Sequence, residues 1–322
     1  MMRLLDAKTI HELMPMRAAI DVLRPAFEMI SQRQGVVTER QVMPLEGGTG
    51  LVMGAAREGV GIACKLVAVM PGNTKLSLPG TVGLVALLDD QTGVPLTVMD
   101  GTVLTALRTA ALNGCAIEVL ARESASTGLL VGCGAQATAQ ALAMMAVRAF
   151  REFRVLGRDP ERASRFAKSL EHTLGMRVKL ETDPDEAVRG VDVITAVTNS
   201  ASPVVSGALV PPGCHVSGMG SFRPEMQELD RGLVAGSAVF VESREVAQLE
   251  AGDLIIAQQS GMTRPEQWTE LGEVFSGDRP GRRDEGQITF FKSVGHPVFD
   301  LVMARALYNA AEHENAGLKW QA

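Results

Sequence analysis

The run Gly132-Cys133-Gly134-Ala135-Gln136-Ala137 has the residue types and spacing of a turn that binds the phosphates of a dinucleotide. Gly132 allows a tight turn, Gly134 lets the backbone approach a pyrophosphate, and Ala137 keeps the next helix close to a sheet. The N–H groups at the start of that helix carry a partial positive charge that favours phosphate. The run therefore predicts nucleotide binding at Gly132, Gly134, Ala135 and Gln136, rather than a simple tight turn.

A second stretch, Leu156-Gly157-Arg158-Asp159-Pro160, bears on the choice of cofactor. Gly157 takes the position at which an NAD site usually carries Asp or Glu for the ribose hydroxyls. The planar guanidinium of Arg158 suits a 2′-phosphate, so the sequence favours NADP over NAD. Asp159 leaves two readings open, because it can be the N-cap of a helix that begins at Pro160 or it can touch the ribose.

Two positively charged side chains lie in apolar segments of the chain, which makes them candidate functional residues. Arg108 lies in ALRTAA, on an otherwise apolar helix, and Lys65 lies in the apolar strand GIACKLVAV. A buried guanidinium or ammonium is costly without a partner. Because no partner for Lys65 is visible in its strand, we expect a substrate carboxylate to offset that cost.

The elements around the turn have the order of a dinucleotide-binding βαβ unit. The apolar runs 128–131 and 153–156 predict strands, and residues 136–150 between them predict a helix. Downstream, strands alternate with helices, which predicts a doubly wound parallel sheet, a Rossmann domain. The later elements are a helix at 160–174, a short helix near 183–184, and strands at 177–180, 191–197, 214–218, 238–242 and 288–292.

The chain before the turn has a different pattern. Residues 4–30 predict helix, residues 36–100 predict short strands, and Asp90-Gln91-Thr92-Gly93 predicts a hairpin turn. These strands alternate imperfectly, as in a sheet covered on both faces. Residues 101–121 and 297–313 predict helices. The fold class is therefore α/β, with a Rossmann domain and a second, α+β domain.

The composition excludes several classes of protein. The 322 residues are enough for two domains, and the net charge of −6 argues against a nucleic-acid surface. The four cysteines lie far apart, so no metal site is expected. The segment MMRLLDAKTIHELM lacks the apolar core of a signal peptide, and no window of about 18 apolar residues is expected to span a membrane. We expect a cytoplasmic protein with no membrane partner.

Longer stretches resemble one known family. These are TVGLVALLDDQTGVPLTVMDGTVLTALRTAA (81–111), GMGSFRPEMQELD (218–230) and FFKSVGHPVFD (290–300), together with the GCGAQA turn. They resemble the ornithine cyclodeaminase/mu-crystallin family over essentially the whole chain. The resemblance implies a substrate-binding and dimerisation domain made of residues 1–119 and 294–322, a Rossmann domain of residues 120–293, and a homodimer that pairs the strand-rich domains.

The resemblance also implies a site for a small amino or imino acid, in a cleft between the domains. Its carboxylate would be held by Arg40, Lys65 and Arg108, with Lys65 and Arg108 as the catalytic residues. By sequence alone Arg40 could be an ordinary exposed arginine. The residues that would contact the cofactor near its nicotinamide are Thr81, Arg108, Thr195, Val197, Thr198, Met219, Ser293 and Val294. For Met219 and Val294 core packing is an equal alternative, whereas His296 is predicted to be structural and Asp300 to cap or anchor the last helix.

One position departs from the family pattern. Cyclodeaminases carry an Asp in the turn 220–224, and counting back from Glu228 places Phe222 there. We therefore expect an NAD(P)H-dependent reductase of a cyclic ketimino acid, such as Δ1-pyrroline-2-carboxylate or Δ1-piperideine-2-carboxylate, giving L-proline or L-pipecolate. Lys65 or a water would supply the proton. The alternatives are an alanine dehydrogenase, a cyclodeaminase despite Phe222, and a crystallin-like protein that binds NADPH and a small ligand without turnover.

Overall fold

The computed structural model describes residues 1–76 and 78–321. The chain divides into two compact units, Met1–Ala111 with His296–Ala322 and Leu112–Gly295. The boundary falls within the long helix α3, Gly101–Leu120. The predicted roles of the two parts of the chain, in substrate binding with dimerisation and in cofactor binding, stay predictions.

The first unit is built on a mixed sheet. Its strands run in the order β16-β1-β7-β6-β5-β4-β2, with β3 also paired to β4. Neighbours are antiparallel except for β1 and β7, which are parallel. The strands are β1 (Met2–Leu5), β2 (Val36–Val37), β3 (Gln41–Leu45), β4 (Gly48–Arg57), β5 (Gly61–Val69), β6 (Thr81–Leu88), β7 (Pro95–Asp100) and β16 (Leu318–Trp320).

Most predicted elements of this unit are confirmed, including the turn at Asp90–Gly93 between β6 and β7. The prediction of helix from residue 4 is wrong at its start, because β1 covers Met2–Leu5. This strand alternates between partly exposed and buried residues and pairs with β7 and β16. Its partners are about 90 and more than 300 residues away, so local periodicity does not reveal them.

Helices cover one face of this sheet. The helices of this unit are α1 (Ala7–Leu13), α2 (Met16–Ser31), α11 (Pro297–His313) and the first part of α3; α11 packs on β4, β5 and β6, α1 contacts β7, and α2 packs on α11. The ring centroids of Phe27 on α2 and Phe299 on α11 lie 4.7 Å apart in an edge-to-face arrangement, and both side chains are fully buried. Helix α11, from late in the sequence, therefore packs into the core of the first unit.

The other face of the sheet stays open in the single chain. On β5, Ala63, Lys65 and Val67 are buried, whereas the alternating residues Ile62 and Leu66 are exposed. Successive side chains of a strand point to opposite faces, so these two sets mark a covered and an uncovered face. The expectation of a sheet covered on both faces is therefore wrong for the isolated chain.

The second unit is a doubly wound parallel sheet, as predicted. Its strand order is β10-β9-β8-β11-β12-β15-β13-β14, and all pairs are parallel. The strands are β8 (Thr127–Val131), β9 (Glu152–Leu156), β10 (Val178–Glu181), β11 (Val193–Ala196), β12 (His215–Gly218), β13 (Ala238–Val241), β14 (Thr269–Glu270) and β15 (Thr289–Lys292). The helices are α4 (Ala137–Val147), α5 (Pro160–Leu174), α6 (Pro184–Ala187), α7 (Arg231–Gly236), α8 (Arg244–Glu250), α9 (Gly252–Gln259) and α10 (Leu271–Phe275).

Helix α3 corrects one expectation from composition. By length and composition alone it could cross a membrane, although no such window was expected. Of its apolar window, 67% is buried inside the protein, and the core helix of a soluble protein meets the same criterion. The feature is therefore weak evidence for a membrane segment. The predicted cytoplasmic location and the predicted lack of a membrane partner stay predictions.

Candidate active site

Lys65 and Arg108 converge on one carboxylate in the first unit. Lys65 Nζ lies 2.6 Å from Asp300 Oδ2, and Arg108 Nε lies 3.1 Å from Asp300 Oδ1. The side chains of Lys65 and Asp300 are each only 3% exposed. The expectation that Lys65 has no protein partner is therefore wrong. Its partner lies 235 residues away in sequence, on a helix whose return to this sheet is not visible from local patterns.

Three elements position this group. The alternation of β5 places Lys65 on the covered face of the sheet, and α3 supplies Arg108. Asp300 lies in the first turn of α11, where the helix dipole favours a carboxylate. Asp300 does not cap α11, because the N-cap is His296, whose side chain accepts a hydrogen bond from the N–H of Val298.

The charges of the group shift one another's pKa values. Burial lowers the pKa of the Lys65 ammonium to about 8, and the charge of Arg108 acts in the same direction, against the opposing effect of Asp300. Burial alone would raise the pKa of the Asp300 carboxyl, but Arg108 and Lys65 outweigh it and lower that pKa. Burial also lowers the pKa of His296 to about 4, so His296 is neutral at pH 7. Lys65 is thus a stronger acid than an ordinary lysine.

The Lys65–Asp300–Arg108 group has a net positive charge and hydrogen-bond donors that can bind an anion. Lys65 and Arg108 carry one more charge than Asp300 neutralises, and the charge of half-buried Arg40 also acts on Lys65. In the part of the chain that the structure describes, neither terminal nitrogen of Arg108 donates to a protein acceptor. A guanidinium with its fork open matches the geometry of a carboxylate.

The glycine turn of the second unit has the shape that phosphates need. Gly132 has φ +112°, and a Cβ there would lie 2.6 Å from the Val197 carbonyl oxygen. A Cβ at exposed Gly134 would meet nothing within 4 Å, so the backbone there is open to a ligand. Helix α4 begins at Ala137, and the buried Oε1 of Gln136 has no hydrogen-bond partner among the described residues. These features fit the pyrophosphate of a dinucleotide.

The end of β9 has no room for the acidic side chain of a usual NAD site. A Cβ at Gly157 would come within 2.8 Å of both Cys133 Sγ and the Ala163 Cβ. Arg158 is exposed. Asp159 is the N-cap of α5 and accepts from the N–H of Arg162 at 3.0 Å, which confirms the capping interpretation.

The residues predicted near the nicotinamide are placed as follows. Thr195 is fully buried in β11, and its hydroxyl accepts from Asn113 Nδ2 at 3.1 Å. The carbonyl of Val197 packs against Gly132, so the ends of β8 and β11 are brought together. Thr81 lies in the first unit, at the start of β6, where it pairs with Val69.

Met219, Ser293 and Val294 follow β12 and β15. Met219 and Val294 are each 8% exposed. Ser293 Oγ donates to Glu242 Oε2 at 2.8 Å, and the N–H of Val294 donates to Glu242 Oε1 at 3.1 Å. Phe222 is half-buried against the core of the second unit. The roles of all these residues in cofactor binding stay predictions.

Sequence reasoning missed several buried charged residues that hold these loops. Glu242, Glu228, Asp253 and Lys292 are each at most 1% exposed and bond to the loops after the strands. Lys292 was detectable, because it ends the predicted apolar strand 288–292, and a lysine in an apolar strand is the same signal that identified Lys65. The carboxylates give no comparable local signal. Within residues 1–76 and 78–321, no cluster of His, Cys, Asp and Glu could hold a metal ion.

Comparison with known proteins gives a consistent result. The sequence profile of the ornithine cyclodeaminase/mu-crystallin family matches residues 1–315. The chain is 36% identical to a Δ1-pyrroline-2-carboxylate reductase of Bacillus cereus, covering 99% of both chains. It is 35% identical to the ketimine reductase mu-crystallin of Mus musculus, covering 77% of this chain and 76% of that protein. The structure resembles Thermococcus litoralis Δ1-pyrroline-2-carboxylate reductase in complex with NADH and L-proline, with a TM-score of 0.94, 32% identity, and 99% and 100% coverage.

Proposed function

Because the chain belongs to the ornithine cyclodeaminase/mu-crystallin family, we propose that it reduces a small cyclic ketimino acid with NAD(P)H. The substrates are Δ1-pyrroline-2-carboxylate, giving L-proline, and Δ1-piperideine-2-carboxylate, giving L-pipecolate. The observation that carries this proposal is the buried Lys65–Asp300–Arg108 group, which offers an acid and an open guanidinium together. The glycine turn at 132–137 supplies the means to bind a dinucleotide.

The substrate carboxylate is held by the two terminal nitrogens of Arg108, with Arg40 adding positive charge. This fixes the orientation of the imine, and orientation is a large part of catalysis in such reactions. A nicotinamide cofactor supplies the hydride for the imine carbon. Lys65 donates a proton to the imine nitrogen, because a protonated imine is the better hydride acceptor. Asp300 holds the ammonium of Lys65 in place and keeps it charged at neutral pH.

The cofactor is a nicotinamide dinucleotide, and we propose that NADPH is preferred. Close packing of Cys133 and Ala163 around Gly157 supports this, because it leaves no space for a carboxylate that would hold the ribose hydroxyls. Exposed Arg158 is the residue that would contact the 2′-phosphate.

We further propose that the protein is a homodimer formed through the open face of the first unit's sheet. Ile62, Leu66 and Leu84 are exposed there, with Leu66 and Leu84 paired across β5 and β6. A contiguous apolar surface of this kind marks an interaction site. A structural neighbour at 30% identity and a TM-score of 0.91 is an archaeal alanine dehydrogenase described as a dimer.

Turnover of both cyclic imines, with NADPH and with NADH, tests the proposal. We expect oxidation of NADPH that depends on the imine and yields L-proline or L-pipecolate. L-ornithine with NAD should release no ammonia, because Phe222 stands where a cyclodeaminase has Asp. Efficient amination of pyruvate, or ammonia release from ornithine, would assign another reaction. Binding of NADPH without turnover of either imine would support the crystallin-like alternative.

A further inference from the structure

A cluster of buried charged side chains lies at the carboxyl ends of β11, β12 and β15. It consists of Glu228, Asp253, Lys292 and the hydroxyl of Ser221, and we refer to it as the Glu228 cluster. Glu228, Asp253 and Ser221 are fully buried, and Lys292 is 1% exposed. The cluster belongs neither to the Lys65–Asp300–Arg108 group nor to the glycine turn, so the proposed mechanism gives it no role.

Glu228 joins two loops that follow neighbouring strands. Its Oε1 accepts from the N–H of Thr198 at 2.5 Å, after β11. Its Oε2 accepts from the N–H groups of Gly220 at 2.5 Å and Ser221 at 3.1 Å, after β12. A Cβ at Gly220 would lie 1.8 Å from the Thr198 carbonyl oxygen, so the two loops are in direct backbone contact. One carboxylate therefore bonds to the backbone of both loops where they meet.

The other members of the cluster bond to the Glu228 backbone and connect a third strand, β15, to the same loops. Asp253 Oδ1 accepts from the N–H of Glu228 at 2.7 Å, and Asp253 Oδ2 accepts from the hydroxyl of Ser221. Lys292 Nζ lies 3.5 Å from Asp253 Oδ2 and donates to the Gly218 carbonyl at 3.1 Å. The end of β15 is thus tied to the end of β12.

We infer that Glu228 is a positioning residue for the nicotinamide half of the cofactor, acting through the loops at Thr198 and at Gly220–Ser221. In an open α/β sheet, ligands bind outside the carboxyl ends of the strands, and these loops lie at those ends. The adenine half is assigned to the glycine turn and Arg158, which follow β8 and β9 and, among the described residues, make no hydrogen bond to the carboxylates of the cluster. The inference rests on the proposed function. It assigns the nicotinamide half of the cofactor to the loops that Glu228 positions, and the adenine half to other residues.

The experiment measures cofactor binding by Glu228→Gln, without requiring turnover. The Kd for NADPH is measured by fluorescence, and the Kd for 2′,5′-ADP, which lacks the nicotinamide, is measured by competition. NADH and 5′-ADP are compared in the same way. An amide keeps the size of the side chain but faces a backbone N–H with its own NH2 group. We expect NADPH to bind about tenfold more weakly, as for the loss of one hydrogen bond to a charged group. The affinity for 2′,5′-ADP should fall much less, because the glycine turn touches the Thr198 loop at Gly132 but does not bond to Glu228.

Ser221→Ala is a milder variant that removes only the hydroxyl contact to Asp253. It should weaken NADPH binding by about fivefold, again with a smaller effect on 2′,5′-ADP. If Glu228→Gln does not fold, this variant decides the question. Asp192→Asn is the matched control. Asp192 accepts from the N–H groups of Ser126 and Thr127 at 2.7 and 3.0 Å, at the amino end of the same sheet.

Asp192→Asn should lower thermal stability and leave the ratio of the two Kd values as in the wild type. If the Glu228 cluster variants lost affinity for NADPH and for 2′,5′-ADP by the same factor, the inference would be overturned. It would also be overturned if they kept full affinity for both ligands. A nicotinamide-specific loss in Asp192→Asn would overturn it too, because the effect would then not depend on the carboxyl ends of the strands. A wild-type chain that binds NADPH but reduces no imine would refute the proposed reaction alone, since the Kd comparison would still hold.

Discussion

Replacing Asp300 with Asn should move the pH dependence of catalysis to lower pH. Asp300 Oδ2 lies 2.6 Å from Lys65 Nζ in a buried site, and Asp300 opposes the lowering of the Lys65 pKa. An opposite charge at this distance raises the pKa of an ammonium by about 1 to 3 units. Without it, the pKa of Lys65 should fall from about 8 into the range of roughly 5 to 7.

The sign follows from the role of Lys65 as the acid. Imine reduction needs the ammonium, so kcat is highest below the pKa of Lys65 and is lost as pH rises through it. At pH 7 about nine tenths of Lys65 is protonated in the wild type, and about half or less in Asp300→Asn. KM should not rise, because removing a negative charge does not weaken attraction for the substrate carboxylate.

The assay is kcat for the better cyclic imine between pH 5 and 9.5, with thermal melting to confirm folding. Breaking a buried ion pair is destabilising, so the melting temperature should fall as well. Titration of the imine itself is common to both enzymes and cancels in their ratio. Asp21→Asn, in the exposed pair between Asp21 and Arg17, is the control and should leave the pH profile unchanged. If the basic limb of Asp300→Asn stays at the wild-type pH, Lys65 is not the acid.

Two further variants test single residues. Lys65→Met should lower kcat by about 10²-fold or more. The melting temperature should also fall, because Asp300 then keeps only Arg108 as a partner. If kcat and KM stayed near the wild-type values, Lys65 would not belong to the active site. Arg158→Ala should raise KM for NADPH by about tenfold or more, since hydrogen bonds to charged groups contribute about 1.5–3 kcal/mol, and should leave KM for NADH nearly unchanged. Equal effects on both cofactors would count against a contact with the 2′-phosphate.

The sequence predicted what depends on local patterns. Alternating strands and helices, the glycine turn and the cap at Asp159 each lie within a short window, and the structure has them where expected. Lys65 and Arg108 were found because a charge in an apolar element is conspicuous. Their partner Asp300 was not assigned to them, because it lies 235 and 192 residues away and no periodicity reports such a contact.

Other features depend on the tertiary structure in the same way. The open face of the first unit's sheet was missed because imperfect alternation was read as burial on both sides. The carboxylates Glu228 and Glu242 were missed because an acid that accepts backbone N–H groups from distant loops looks like any surface acid in sequence. These contacts become visible only when the ends of the strands are brought side by side.

The return of α11 to the first unit has a consequence for the order of folding during synthesis. Residues 112–295 form a continuous unit, so that sheet can assemble as soon as its own sequence has emerged. The first unit has most of its strands long before, but it lacks α11 until residues 297–313 are made. During that interval Lys65 and Arg108 have no carboxylate to neutralise them, and the apolar face that α11 covers is exposed. The earlier-synthesised sheet is therefore the later one to reach its native state, and it is the part of the nascent chain most in need of protection from aggregation.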